Sequence, residues 1–477
     1  MEEARRETNI AYTANGALSK ESTLSYVLDF FSKSGALRGE EEIFEGYFMK
    51  ALDEDQLLAM KALFYSRDVR GGQGERSTFR STIRTIAKHY PELLAKNIDL
   101  VPFYGRWDDL LVLFGTSLEE NVLELISMQL KVDENSERPS LLAKWMPSEN
   151  ASSTTTKAYA KKIRTYLEMS PRSYRKMLVS LRKKIDIVES KMSAKMWDKI
   201  DYERVPSQAM RIYRGTFEKK DGTRFNQYLS KVESGEAKIN ASTLYPYEIV
   251  AKVRDRISEG GRVLEAQWKA LPDYMNGENA IAVVDTSCSM NMGSRNVRPI
   301  DVALSLGIYF AERSKGKFKD YFITFSERPQ VQKLVGDSLE RRIANLNRAN
   351  WDMNTNLIAV FESLLDTAKR IEATVEDMPS KIYIISDMQF DECVDGYTNF
   401  QNINKEYTEA GYKRPEVVFW NVNTYSDSPV EKDEFGTYLV SGCSPSILKY
   451  AMNIEEATPE LLMMNVLNSE RYSLVKV

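Results

Sequence analysis

The sequence predicts a multidomain α plus α/β chain, with an α-helical domain over residues 1–270 and an α/β domain over residues 277–477. Three observations carry that reading. In the first part, apolar residues recur at helical spacing with no interleaved β-branched runs. From Gly277 onward, short runs rich in Val and Ile alternate with helical stretches of about 10–15 residues, the pattern of βαβ units and a mostly parallel sheet. Between the two, residues 265–278 hold Pro272 and Gly277 and place the boundary there.

The helical elements follow in order. Residues 23–31 form a candidate helix with Ser22 as N-cap, and residues 55–65 form the next. Residues 77–90 form a third, stopped by Pro91, followed by residues 118–130 and 157–167. The clearest helix spans residues 173–192, where Tyr174, Met177, Leu178, Leu181 and Ile185 lie along one stripe. A stack of helices of this kind reads as a bundle or solenoid, although no clean repeat period emerges. In the second part, the run AIAVVD at residues 280–285 is the first strand. Strands at 321–325, 382–386, 417–422 and 437–440 alternate with helices at 301–313, 356–371 and 400–410.

Composition narrows the function classes. The 477 residues, 43% of them hydrophobic and 28% charged, have enough apolar material for true cores and exclude long disorder. No apolar run approaches the length of a membrane span, and the charged start MEEARRETNI has no secretory h-region. Cys288, Cys393 and Cys443 make no disulfide framework and lack zinc-ligand spacing, so the expected compartment is a reducing cytoplasm. The single histidine, His89, excludes His-rich metal sites and stands against a Ser-His-Asp triad. Net charge is only -4, but residues 151–220 hold 18 basic and 7 acidic side chains, a local surplus of eleven. Such a block is either a polyanion footprint or a solvated helical surface.

The sharpest motif is Asp285-Thr286-Ser287-Cys288-Ser289, directly after the first strand. In a parallel α/β sheet, ligands bind beyond the carboxyl ends of the strands. A carboxylate and two hydroxyls spaced by one residue can converge there on a cation. The all-oxygen donor set suits Mg²⁺, with Mn²⁺ or Ca²⁺ as alternatives, rather than Zn²⁺. Thr355, before the helix at 356–371, and Asp387, after the strand at 382–386, fall on the same sheet edge. The plain alternative is a Ser/Asp-rich turn that caps the next helix.

Asp285, Ser287, Ser289, Thr355 and Asp387 together resemble the metal-ion-dependent adhesion site of von Willebrand factor A (vWA) domains. The order of strands and helices over residues 277–443 is similar to that Rossmann-like fold. The resemblance implies a bound divalent cation with an open position that takes an acidic group from a protein partner. Two residues depart from the family pattern: Asn354 and Met388 stand where glycine is frequent. A helical domain before a vWA domain also resembles the architecture of the TROVE proteins (telomerase-associated protein, Ro autoantigen, vault protein), so the helical part is expected to be HEAT-like or TROVE-like. RDVRGGQGER at 67–76 and YGRWDDL at 104–110 resemble turns of that part. With KWMPSENASS at 144–153 and KINASTLYPYEIV at 238–250, they are more similar still to a phage- and bacteria-associated family of the same arrangement.

Other features have structural readings beside functional ones. The Gly71–Gly74 segment lacks the Lys-Ser/Thr of a phosphate loop, so it reads as a turn, with an anion between Arg70, Arg76 and the following helix as the alternative. Trp107 reads as packed and Asp108 or Asp109 as helix-capping. Arg172, Arg175, Lys176, Arg182, Lys183 and Lys184 form a cationic ridge opposite the apolar stripe, able to track a phosphate backbone. Tyr202, Tyr213, Phe217, Phe225 and Tyr228 read either as core or as base-stacking residues. No catalytic residue is assigned: the motif has no extra general base, second-metal cluster or nucleophile elbow beside it. The expected function is a non-enzymatic RNA-binding scaffold whose vWA cation recruits an acidic protein partner. The alternatives are a protein–protein module without nucleic acid and, behind it, a metal-dependent hydrolase. The sequence leaves the oligomeric state open.

Overall fold

The computed structural model describes residues 6–255, 261–291, 297–326, 328–349, 356–390, 398–423, 427–451 and 457–477. The chain opens with a short antiparallel hairpin, β1 (Ala11–Tyr12) and β2 (Leu18–Ser19). The helical region follows: α1 (Tyr26–Lys33), α2 (Glu41–Glu54), α3 (Gln56–Arg67), α4 (Ser77–His89), α5 (Pro91–Ala95) and α6 (Leu100–Tyr104). It continues with α7 (Glu119–Asn135), α8 (Leu142–Trp145), α9 (Thr154–Tyr166), α10 (Pro171–Ile185), α11 (Val188–Ser193), α12 (Ser207–Glu233), α13 (Pro246–Arg254) and α14 (Gly261–Lys269). The caps explain several starts. Ser25, Asp55, Ser153 and Ser170 each accept a hydrogen bond from an N–H of the first turn of α1, α3, α9 and α10. The cap of α1 is thus Ser25, three residues beyond Ser22, the cap expected from sequence. The long helix expected over residues 173–192 is two helices, because Asp186 turns left-handed at φ 58° and ends α10.

The α/β region has β3 (Ala280–Val284), α15 (Pro299–Arg313), β4 (Tyr321–Thr324), β5 (Val331–Lys333), α16 (Leu339–Asn347), α17 (Leu357–Arg370) and β6 (Lys381–Ser386). It ends with α18 (Thr398–Glu409), β7 (Glu416–Asn421), β8 (Thr437–Ser441), α19 (Leu448–Ala451) and α20 (Pro459–Leu467). The sheet order is β5-β4-β3-β6-β7-β8, parallel except for the edge strand β5. Strand residues alternate between two cores, as a period of two requires. Ala282, Val284, Tyr383, Ile385, Val418 and Trp420 face one core, and Ile281, Val283, Ile382, Ile384, Val417 and Phe419 face the other.

The first of these cores also takes in much of the helical region, from Val27 and Phe30 to Leu181 and again at Leu244, Ile249 and Trp268, and the C-terminal residues Leu462, Val466 and Tyr472. The chain ends cross over. The N-terminal hairpin runs onto the α/β region, where Lys20 and Ser428 exchange backbone hydrogen bonds of 2.9 and 2.8 Å. The C-terminal segment runs onto the helical region, where buried Asp68 accepts hydrogen bonds from Arg471 and from the Tyr472 hydroxyl at 3.0 Å. Gly35 shows how closely the two regions approach. Its N–H reaches Ser441 Oγ at 3.0 Å, and a Cβ there would lie 2.7 Å from the Ser441 carbonyl oxygen. Among the described residues, no helix is long and apolar enough to cross a membrane.

Candidate functional site

Parallel pairing of β3 with β6 sets Val284 opposite Ile385, so both strands end together at the carboxyl edge of the sheet. Asp285 continues the pairing, its N–H donating to the Ile385 carbonyl at 3.1 Å. Its side chain then turns into the loop. Oδ1 accepts the Ser287 N–H at 2.8 Å, and Oδ2 accepts the Ser386 hydroxyl at 2.6 Å. The Ser287 and Ser289 hydroxyls lie 3.0 Å apart. From the end of β6, Asp387 Oδ1 accepts the Gln389 N–H at 3.2 Å, while its buried Oδ2 has no hydrogen-bond partner among the described residues. The structure thus brings together Asp285, Ser287, Ser289 and Asp387. Thr355, like Asn354, lies outside the described residues.

Both aspartates are buried, Asp285 wholly so. Burial pushes the Asp285 carboxyl up to about 6, with the neighbouring Asp387 charge adding to the rise and the Ser386 and Ser287 donors opposing it. Asp387 is also raised, chiefly by burial, against the Ser289 hydroxyl and the Gln389 N–H. Two crowded buried carboxylates, two adjacent hydroxyls and one unpartnered carboxylate oxygen fit a hard divalent cation. Among the described residues, no group of three or more His, Cys, Asp or Glu side chains is placed to hold a metal ion, so a cation here would rest on the mixed carboxylate–hydroxyl set. Cys288, between the two serines, is exposed. Met388 adopts φ 67°, the left-handed backbone that glycine takes freely, at a cost of about 1–2 kcal/mol.

The cationic ridge divides. In α10, Tyr174, Met177, Leu178 and Leu181 are buried, and the residues opposite face outward. Arg172, Arg175, Lys176 and Lys183 are exposed. Arg182 is not on the free ridge: its guanidinium donates to the Ala143 carbonyl at 2.8 Å, the Met146 carbonyl at 2.9 Å and Ser148 Oγ at 3.1 Å. Lys184 donates to the Glu134 carbonyl at 2.8 Å and the Ser136 carbonyl at 3.3 Å, so it too is committed to the chain's own backbone. Four of the six cations remain free to meet a ligand.

The other motifs are structural. Tyr202, Phe217, Phe225 and Tyr228 form a core of their own, with Tyr213 packed against it. Buried Asp109 accepts from Arg67 at 2.8 Å, Arg80 at 2.6 Å and the Arg106 N–H at 2.8 Å. Asp108 accepts from Arg106, whose guanidinium lies 3.7 Å from the centre of the Trp145 ring. At the start of α4, the Ser77 N–H is served by Glu75 at 3.0 Å and its hydroxyl by Glu41 at 2.9 Å, so carboxylates of the chain already occupy the place where an anion was considered. His89 stands exposed in the last turn of α4. The sequence reading missed Ser386, Gln389 and Asp427 as neighbours of the aspartates. Only Ser386, one residue before Asp387 at a strand end, left a local signal.

Comparison with known proteins accounts for both regions. The helical region matches the model described as "Domain of unknown function (DUF2828)" over residues 13–139 and 140–280. The α/β region matches "Domain of unknown function (DUF7788)" over residues 279–472. "Uncharacterized protein L728" of Acanthamoeba polyphaga mimivirus is 30% identical over 509 residues, covering 96% of this chain and 87% of that protein. Among solved structures, the Ro (RSR) protein of Deinococcus radiodurans aligns over 92% of this chain and 93% of its own, at 10% identity and a TM-score of 0.37. The chain belongs to the DUF2828 family, with a DUF7788 match across its α/β region.

Proposed function

We propose that this chain is a non-enzymatic binding protein whose α/β region holds a divalent cation and through it a carboxylate of a protein partner. The observation that carries the reading is the buried Asp285–Asp387 pair at the sheet edge, with Asp387 Oδ2 unpartnered among the described residues. Asp285, Ser287, Ser289 and Asp387 would hold Mg²⁺ or a similar ion, and Thr355 is proposed as a further ligand. The vWA resemblance supports the same assignment. The cation would supply a point of positive charge for an acidic group. The chain's own part is to orient the two serines through the Asp285 turn and to keep Asp285 fixed through Ser386. The test is thermal unfolding of the full chain in EDTA and with added Mg²⁺. Cation at a hundredfold excess over its dissociation constant should stabilise the native chain by about 2.7 kcal/mol. Asp285→Asn should lose that gain. A native chain indifferent to Mg²⁺, Mn²⁺ and Ca²⁺ would refute the reading.

A second binding role rests on a different observation: exposed Arg172, Arg175, Lys176 and Lys183 share one helix within the basic block. We propose that this face binds RNA through backbone phosphates. Affinity should then fall steeply with salt. Arg175→Glu with Lys176→Glu should abolish RNA co-purification while leaving the melting temperature in place. A nucleic-acid-free native protein at low salt would leave the cation-dependent protein module as the whole function.

A further inference from the structure

We propose that the N-terminal hairpin is a positioning element for the cation site, with Thr13 and Asn15 as its working residues. The inference rests on the cation reading above and adds to it what fixes the Asp387 loop. Two bonds hold the loop from Asp387 to Phe390 at its start, Met388 N–H to Ser386 Oγ at 3.1 Å and Gln389 N–H to Asp387 Oδ1 at 3.2 Å, and the rest of its grip comes from outside. Met388 sits left-handed at φ 67°, and such backbone persists where the surroundings over-determine it. The two residues that follow are gripped by a segment more than 370 positions away. The Thr13 hydroxyl donates to the Phe390 carbonyl at 2.6 Å and accepts the Ala17 N–H at 2.9 Å, tying the hairpin turn to the loop. The Ala14 N–H donates to Gln389 Oε1 at 2.6 Å, and Asn15 Nδ2 donates to the Gln389 carbonyl at 2.9 Å.

The grip extends to a second rim loop. Gln389 Nε2 donates to Asp427 Oδ1 at 3.2 Å, and the Ser19 hydroxyl lies 2.8 Å from Asp427 Oδ2. One hairpin thus clamps the loops after β6 and β7 together. Thr13 and Gln389 are buried, so these bonds are shielded from competing water. The Gln389 N–H, which this clamp fixes in place, is the donor to Asp387 Oδ1. The hairpin therefore acts on the candidate ligand through one intermediate residue, as the outer partners of metal ligands do.

The probe is Mn²⁺ alone, titrated into the full chain and followed by the electron paramagnetic resonance signal of the free ion. The melting temperature of each variant is measured in EDTA. Thr13→Val keeps the shape and removes the hydroxyl, and should weaken Mn²⁺ binding by about tenfold. Thr13→Ser keeps the hydroxyl and should bind as the native chain does. Asn15 is exposed, so Asn15→Ala gives a variant that folds, and it should weaken binding by roughly threefold. Native affinity in both Thr13→Val and Asn15→Ala, with binding lost in Asp387→Ala, would overturn the hairpin's role and leave the cation site standing. Equal weakening in Thr13→Ser and Thr13→Val would overturn it as well. A native chain that takes up no Mn²⁺ would overturn the cation reading and this inference with it.

Discussion

The helical region and the sheet edge bury charge in opposite ways. In the helical region, Asp109 is fully buried yet meets Arg67, itself almost fully buried, as well as Arg80, and Asp68 meets Arg471. At the sheet edge, Asp285 and Asp387 are as deeply buried and meet hydroxyls and backbone N–H groups, and the Asp387 charge acts on Asp285. Both arrangements place acidic residues inside a protein, and among the described residues only the first is paired with arginines. On the cation reading proposed above, charge balance, more than burial, separates an internal strut from a binding site.

The largest test of that contrast is Asp109→Ala. It would strand the Arg67 guanidinium in the core and should cost about 3–5 kcal/mol in urea unfolding. Next is Arg182→Ala, which removes the donor that three acceptors around the 143–148 turn share, and should cost about 1–3 kcal/mol. Arg175→Ala, two turns away on the same helix, should change stability by no more than about 0.5 kcal/mol. Equal costs for the two arginines would erase the distinction between the structural and the free cations of α10. At the sheet edge the sign should reverse. In EDTA at neutral pH, Asp387→Asn relieves like-charge repulsion on Asp285 and keeps an acceptor for Gln389, so it should stabilise the chain by about 1 kcal/mol. A loss as large as that of Asp109→Ala would show that the edge pair is balanced after all.

The same contrast explains what the sequence made legible. The strands were readable because β3, β6, β7 and β8 are buried on both faces and so appear as continuous apolar runs. The edge strand β5, Val331–Lys333, is three residues long and largely unburied, and left no such run. Helix α12 was missed because its apolar stripe loses phase at Asp221, whose backbone leaves the helical range at φ -143°. At the candidate site, Asp285, Ser287, Ser289 and Asp387 were legible because each directly follows a readable strand. The hairpin and Gln389 were not, because their partnership spans 374 positions and has no local pattern. The network of Arg67, Arg80 and Asp109 was legible only as turns, since ion pairing between α3, α4 and the 107–113 turn is decided by packing.

Two left-handed residues give small effects that should differ in sign. Asp186 at φ 58° ends α10 with its side chain in solvent, paired to Lys191 at 2.9 Å. Glycine accepts that backbone without the clash of a Cβ, and an exposed ion pair is worth little. Asp186→Gly should therefore stabilise the chain by a few tenths of a kcal/mol up to about 1 kcal/mol. Met388 at φ 67° has the same backbone strain but is 3% exposed and packs into the second sheet core. Met388→Gly would gain about 1–2 kcal/mol from relaxed backbone and lose about 1.5–3 kcal/mol of side-chain burial, with further entropy lost on folding. The balance is a net loss of about 1 kcal/mol, measurable by urea unfolding in EDTA. Methionine at this position thus exchanges local backbone ease for anchorage in the core beneath Asp387, and a stabilised Met388→Gly would show that the loop keeps its shape without that anchor.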